Sequence, residues 1–82
     1  MRVGDEVEGT IARIGDGAVF LNLNGGVEGF LHCSRMVCRN EQRVTRETLP
    51  QLVSVGDKIR ATVLEFDNQI RKGGVARLQE LE

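Results

Sequence analysis

The chain has 82 residues and a formal net charge of −1, with 11 Lys or Arg residues against 12 Asp or Glu residues. A chain of this length buries only about 60% of the surface of its unfolded form, so we expect one domain over residues 1–82 and exclude an enzyme with separate cofactor and substrate domains. The near-neutral charge also argues against a protein that holds nucleic acid by bulk electrostatics alone.

Three short strands are predicted in the first part of the chain, separated by glycine-containing turns. Apolar and polar side chains alternate over residues 7–14, 18–23 and 27–33, which is the pattern of half-buried strands. The turn after the second strand, residues 24–26, reads Asn-Gly-Gly, and these residue types tolerate the positive φ angles of tight hairpins. Short apolar runs between such turns are typical of a small all-β barrel or sandwich.

The alternation gives the second and third predicted strands an inner and an outer side. Phe20 projects opposite to its apolar neighbours in the second strand, and Phe30 and His32 share the corresponding side of the third. Exposed aromatic rings beside a histidine offer a stacking surface for nucleic-acid bases. Arg13 and Asn22 are candidate contacts at the rim of this surface. For Phe30 the alternative of a packing role at the barrel edge stays open.

A stretch without glycine, residues 34–48, is predicted as a helical or irregular connection. Its four arginines are spaced four, four and three residues apart, which would place them on one side of a helix: Arg35, Arg39, Arg43 and Arg46. Two glutamates oppose these four arginines, so the stretch carries a local charge of +2. Arginine grips phosphate through a planar fork, so we expect Arg35 and Arg39 to contact phosphates. The alternative is a solvated helix face with Glu–Arg pairs.

One helical turn and two further strands complete the predicted elements. Residues 49–54 form the turn, with Thr48 as its N-cap. Residues 58–66 form the fourth strand, residues 67–74 a polar loop, and residues 75–81 a final strand or partly a helix. Three strands, a helical connection and two strands are the order of an OB-type fold, which is all-β. We therefore predict a five-stranded antiparallel Greek-key barrel.

Several motifs along the chain resemble one known family. Val-Gly-Asp stands before the first strand and again before the fourth, at residues 3–5 and 55–57. Residues 26–34 read Gly-Val-Glu-Gly-Phe-Leu-His-Cys-Ser, which is the most specific part of the match. Over residues 3–78 the chain resembles the ribosomal protein S1-type RNA-binding domain, an OB-fold family.

The resemblance implies that one barrel face holds single-stranded RNA, in a protein of translation, RNA decay or RNA processing. The family's aromatic, histidine and acidic positions fall on Phe20, His32 and Asp67. Its basic position falls on the loop after the fourth strand, which is longer here than is usual in the family. The candidates for that position, of which we expect the first two to contact phosphate, are Arg71, Lys72 and Arg77.

The chain departs from the family at the turn between the first two strands. The family commonly has Asp-Phe-Gly where this chain has Asp16-Gly17-Ala18, so the first of two usual stacking aromatics is missing. Because one base stack is worth roughly 1–3 kcal/mol, its loss would weaken RNA binding by about tenfold. The departure also suits an alternative function: a protein–protein interaction OB domain that has partly lost its RNA face and grips an acidic partner through residues 35–46.

Catalysis, metal binding and membrane insertion are not expected. A metal site built from His32, Cys33 and Cys38 lacks a fourth ligand, and adjacent strand residues such as His32 and Cys33 point to opposite faces. Phosphate-loop, zinc-protease and serine-elbow motifs are absent from the sequence. No apolar run approaches the roughly 20 residues of a membrane span. Two cysteines favour a reduced, cytoplasmic setting. We therefore expect a monomeric, non-catalytic module without cofactor or metal.

Overall fold

The computed structural model describes residues 2–39, 41–67, 69 and 73–81, which form a closed five-stranded barrel. In chain order its elements are strands β1 (Glu6–Ile14), β2 (Ala18–Asn22) and β3 (Glu28–His32), helix α1 (Leu49–Leu52), and strands β4 (Lys58–Asp67) and β5 (Val75–Glu80). The 3-10 turns Asn24–Gly26 and Cys33–Arg35 flank β3. The predicted all-β OB-type barrel is confirmed, and each strand begins and ends within one residue of its prediction.

The strands follow the order β1-β2-β3-β5-β4 around the barrel, and β4 closes it by pairing with β1. Four pairings are antiparallel, but β3 and β5 run parallel, which corrects the prediction of a fully antiparallel sheet. The reason is one of parity: a closed ring with an odd number of strands cannot alternate direction all the way round. In the part of the chain that the structure describes, no helix has the length and apolar character to cross a membrane.

The barrel interior is filled by inward side chains from every strand. One residue from each strand, at most 1% exposed, forms its centre: Ile11, Leu21, Leu31, Val63 and Leu78. Fully burying a side chain of this kind contributes roughly 1.5–3 kcal/mol relative to leaving it in water. Because side chains alternate along a strand, the positions between these residues face outward and are available to a ligand.

The two Val-Gly-Asp turns make the same hydrogen bonds to opposite strands. The Gly4 N–H donates to the Val63 carbonyl over 2.7 Å, and the Gly56 N–H donates to the Ile11 carbonyl over 2.8 Å. The aspartate after each glycine accepts in return from the same strand residue. Both glycines have a positive φ, 93° and 98°, which side-chain-bearing residues rarely adopt. The repeated motif thus clamps the start of β1 to β4 and the start of β4 to β1.

The connection between β3 and β4 is not the helix that the arginine spacing predicts. Its described residues, 36–39 and 41–48, contain no helical segment. Arg39 and Gln42 instead form an isolated antiparallel bridge around Glu41, whose φ is 63°. A helix here would lack an apolar stripe to pack on the barrel. Val44, which is 4% exposed, ties the irregular segment to the core.

Helix α1 lies within the predicted helical turn, but its predicted cap is absent. Thr48 occupies the N-cap position in a helical conformation, and its side chain makes no capping hydrogen bond. Its hydroxyl accepts from the Thr45 N–H over 2.8 Å and donates to the Arg43 carbonyl over 3.1 Å. The helix is held instead by Leu49, which is fully buried. Burial of one leucine therefore substitutes for local capping.

Candidate nucleic-acid interface

One row of outward side chains crosses all five strands of the barrel. The pairing register joins Arg13 to Phe20, Phe20 to Phe30, Phe30 to Arg77, and Arg77 to Glu65. We call these five residues the outer row. A register shift in β1 between Ile11 and Arg13 places Arg13 opposite Phe20. Aromatic residues thus occupy the centre of the row, with an arginine on each side.

The two aromatic rings of the outer row contact each other edge to face. The ring centroids of Phe20 and Phe30 are 5.6 Å apart at an interplanar angle of 67°. The Arg13 guanidinium carbon lies 4.2 Å from the centroid of the Phe20 ring, which is a cation–π contact. Both rings are partly buried, and these contacts restrain them before any ligand arrives. A planar ligand can stack on this cluster at little cost in side-chain entropy.

His32 lies two residues beyond Phe30 on the same side of β3, and it is exposed. Its Nδ1 accepts a hydrogen bond of 3.1 Å from the Ser34 N–H and lies 2.8 Å from the Ser34 hydroxyl oxygen. A backbone N–H can only donate, so in the neutral ring the proton is on Nε2. The turn that follows β3 therefore fixes the ring and leaves Nε2–H as a donor.

An open groove of about 440 Å³ runs beside these rings. Its lining residues come from β3, the turn after it, β4 and β5: Phe30, His32, Ser34, Arg35, Leu64, Glu65, Arg77 and Leu78. The structure thus brings together three of the predicted site residues, Phe30, His32 and Arg35. Arg77 supplies a second cation beside Arg35. The Arg77 Nε and the nearest Glu65 oxygen are 4.0 Å apart, and both side chains are about 70% exposed. The ion pair between these two residues is therefore weak.

Asp67 lies in a second groove, next to the first. Its neighbours there include Val3, Phe66 and Val75, and the two grooves share Glu65 and Arg77 as a common wall. The Asp67 carboxylate accepts from the Gln69 N–H over 2.7 Å. The predicted acidic position is therefore separated from His32 by the outer row. The other predicted contacts on this loop, Arg71 and Lys72, lie outside the described residues.

Two arginines of the connection between β3 and β4 have acidic partners within the chain. Arg39 forms a two-pronged ion pair with Glu80, whose side chain is 8% exposed. The predicted placement of Arg35 and Arg39 on one helix face is wrong, because Arg35 lies in the 3-10 turn and lines the first groove. Arg46 pairs with Asp16 over 2.5 Å, and both side chains are more than 70% exposed.

The missing aromatic position, Gly17, is covered by the connection. A Cβ atom on Gly17 would lie 3.7 Å from Cγ of Arg46 and 3.8 Å from its Cβ, so the stem of this arginine packs over the glycine. The Gly17 carbonyl accepts from the Cys33 N–H over 2.9 Å, which places this turn beside the end of β3. The sequence did not predict the contact between Gly17 and Arg46, because these two residues are far apart in the chain.

Sequence reasoning also missed Leu64 and Glu65 as lining residues of the first groove. The strand alternation of β4 is interrupted by a register shift between Val63 and Glu65, so the simple period of two does not predict which side they occupy. Among the described residues, no group of three His, Cys, Asp or Glu side chains is placed to hold a metal ion.

A family model described as the S1 RNA binding domain matches residues 1–76. A polyribonucleotide nucleotidyltransferase of Deinococcus radiodurans is 37% identical over 83% of this chain, which spans 8% of that protein. A 4-hydroxy-3-methylbut-2-enyl diphosphate reductase of Clostridium tetani is 32% identical over 90% of the chain, which spans 11% of it. The chain thus covers about a tenth of the length of these curated relatives.

Solved structures match the same barrel. An uncharacterized protein from Methanocaldococcus jannaschii superposes with a TM-score of 0.75 at 22% identity, covering 99% of this chain and 93% of that one. A chain in the crystal structure of an a/eIF2alpha–aDim2p–rRNA complex from Pyrococcus horikoshii superposes with a TM-score of 0.72 at 27% identity, covering 96% of this chain and 44% of that one. The first likeness concerns the fold alone.

Proposed function

Because the chain belongs to the S1 RNA-binding domain family, we propose that it holds single-stranded RNA on the barrel face that carries the outer row. The contact between the rings of Phe20 and Phe30 carries the proposal. Arginines flank the two rings in the strand register, and His32 follows Phe30 on β3. Rings of this kind bind bases by stacking, and cations beside them bind the phosphates that connect the bases.

Stacking is the source of base binding in this proposal. Phe20 and Phe30 offer their rings to successive bases, and the Arg13 guanidinium, already stacked on Phe20, either stays between ring and base or moves aside to the phosphate. Every base has a π-face, so the binding is largely independent of sequence. The Nε2–H of His32 adds a hydrogen bond to a base edge or a phosphate oxygen.

Phosphate contacts come from the cations around the first groove. Arg35 and Arg77 line it, and Arg71 and Lys72 retain their predicted role as contacts from the neighbouring loop. Asp67 is proposed to accept from a base edge in the second groove. Few phosphates are neutralised by so small a set, so the affinity is modest and depends moderately on salt.

The family match names RNA binding, so we propose a non-catalytic module that holds RNA for a process of RNA decay, translation or RNA processing. The curated relatives carry enzyme names, but this chain spans about a tenth of them, and their activities are not transferred to it. A chain in an rRNA complex shares the fold, which supports a role in RNA handling.

Docking of an acidic protein partner through residues 35–46 is the competing function. Two of the four arginines in this segment already hold Glu80 and Asp16 of the chain itself. That pairing lowers the positive charge available to a partner, so we favour RNA.

An NMR titration with a pool of single-stranded RNA hexamers tests the proposal. Amide shifts are expected to be largest in β2, β3 and the turn after β3, with smaller shifts at the facing residues Arg13 of β1 and Arg77 of β5. A Phe20→Ala, His32→Ala double variant should lose about a hundredfold in affinity, because two stacking or hydrogen-bonding groups are removed. The matched control is a Glu8→Ala, Arg60→Ala double variant, which truncates a facing pair of β1 and β4 without changing the net charge.

The result for the Phe20→Ala, His32→Ala variant shows whether RNA binds the barrel face that carries the outer row. Unchanged affinity with intact amide dispersion would show that RNA binds elsewhere on the barrel. Absence of any shift in the wild-type protein at high RNA concentration would favour the protein partner.

A further inference from the structure

We infer that Arg46 is a further RNA-contacting residue, whose guanidinium, positioned by Asp16, gives a base an additional stacking surface at the turn between β1 and β2. This inference rests on the proposed function and names a contact from the connecting segment, outside the outer row.

The first support is the space above the turn. Gly17 is buried, yet it has no side chain, and the Arg46 stem lies at ordinary van der Waals distance from where a Cβ would be. The stem thus packs on the backbone of the turn in place of a residue 17 side chain. This contact restrains the Cβ and Cγ end of the Arg46 side chain, so less freedom is lost when its head group binds.

The second support is the way the guanidinium is held. The Arg46 Nε donates to the Asp16 carboxylate over 2.5 Å, and the Arg46 side chain is 73% exposed. A hydrogen bond through Nε lies in the plane of the guanidinium, so it uses an edge of the group and does not cover its flat faces. Guanidinium planes stack on unpaired bases much as aromatic rings do.

The third support is position. Ala18, the residue after Gly17, faces His32 in the pairing of β2 with β3. The Gly17 carbonyl also accepts from Cys33, the residue after His32. Arg46 therefore covers the turn that borders the histidine end of the proposed RNA face.

The charge of the pair points to stacking as the mode of contact. Asp16 offsets the positive charge of Arg46, which makes this arginine a weak anchor for phosphate. An exposed ion pair of this kind contributes little to folding, so the fold does not depend on it. The planar surface of the guanidinium is unaffected by the pairing and remains suited to a base.

Two substitutions test the inference by fluorescence anisotropy with a labelled oligouridylate hexamer. Arg46→Lys keeps the charge and removes the plane, and it should lower the affinity about five- to tenfold. The matched control is Arg43→Ala, an exposed arginine of the same segment, which should change the affinity less than about twofold despite losing a full charge.

Asp16→Ala removes both the acceptor that orients Arg46 and its negative charge, so the direction of the change in affinity separates positioning from charge. Removal of a negative charge beside RNA strengthens binding if electrostatics dominates, whereas loss of the partner that orients Arg46 weakens it. We expect weaker binding, by about threefold, with a salt dependence equal to that of the wild type.

The outcomes distinguish this inference from the proposed function. Wild-type protein that binds no hexamer overturns both. Wild-type binding with unchanged or tighter binding by Arg46→Lys or by Asp16→Ala overturns the role of Arg46 and leaves the proposed function standing. Urea unfolding of each variant verifies that a lower affinity does not reflect a lost fold.

Discussion

Arg39 and Glu80 form a two-pronged ion pair that joins the irregular connection to β5. The Glu80 side chain of this pair is largely buried. The Glu80 carboxylate also accepts from the Val37 N–H over 3.1 Å, and the Arg39 guanidinium donates to the Val37 carbonyl. Three hydrogen bonds thus hold the Arg39 guanidinium within the fold, which gives it a structural role. Its predicted contact with phosphate stays a prediction.

Arg39→Ala should therefore lower the free energy of unfolding by about 2–4 kcal/mol, because among the described residues it leaves the largely buried Glu80 carboxylate with the Val37 N–H as its donor. Urea denaturation followed by circular dichroism measures the change. The control, Arg43→Ala, removes an exposed arginine of the same segment and should cost less than about 0.5 kcal/mol. If Arg39 instead binds phosphate, the Arg39→Ala variant would have near-normal stability, and its RNA affinity would depend less on salt concentration.

The equivalence of the two Val-Gly-Asp turns gives a second stability prediction. Open space surrounds Gly4 and Gly56, so an added methyl group meets no neighbour and only the positive φ opposes it. Gly4→Ala and Gly56→Ala should each cost about 1–2 kcal/mol, and the two values should agree within about 0.5 kcal/mol. Thermal and urea unfolding of both variants provide the comparison.

Asparagine at the same positions is the control, because it tolerates positive φ better than alanine and should cost less. A large difference between the two alanine variants would mean that the turns are not energetically equivalent, despite their matching hydrogen bonds.

Local patterns in the sequence were sufficient for the strands and for part of the candidate site. The period of two along a strand is a property of neighbouring residues, so it correctly placed Phe20, Phe30 and His32 on the outer side. The same alternation predicted most of the buried residues of β1 to β4, but the pattern of β5 is too weak to predict that Ala76 and Leu78 are buried. Turn residues predicted where the strands end, because glycine and asparagine act within a few positions of the chain.

Contacts between distant residues could not be predicted from these patterns. The adjacency of Phe30 and Arg77 depends on a parallel register between strands that are far apart in sequence. The pairing of Arg46 with Asp16 spans 30 residues, and it exists because the connection folds back over the barrel. The predicted arginine helix failed for the same reason: tertiary anchoring outweighed a spacing that is merely compatible with a helix.

The role of Phe30, left open between stacking and packing, can be decided by Phe30→Leu. Leucine retains much of the apolar volume and removes the π-face, so a stacking residue should lose about tenfold in RNA affinity. The edge-to-face contact with Phe20 should cost only about 0.5–1.5 kcal/mol of stability. Anisotropy titration and urea unfolding of the same preparation measure both quantities.

Phe20→Leu is the companion variant, and a similar loss of affinity is expected of it. If Phe30→Leu loses stability but binds RNA as the wild type does, Phe30 is a packing residue and Phe20 alone stacks.

The salt dependence of RNA binding reports how many phosphates the face contacts. Two to four contacts predict a slope of log K against log salt concentration between about −1.4 and −2.8 for single-stranded RNA. Arg35→Ala and Arg77→Ala each remove a cation that lines the first groove, so each should reduce the slope by about 0.7. Arg60→Ala, at an exposed position of β4 that lines neither groove, should leave the slope unchanged. Equal changes for all three variants would indicate a diffuse electrostatic attraction, in which case Arg35 and Arg77 make no specific phosphate contacts.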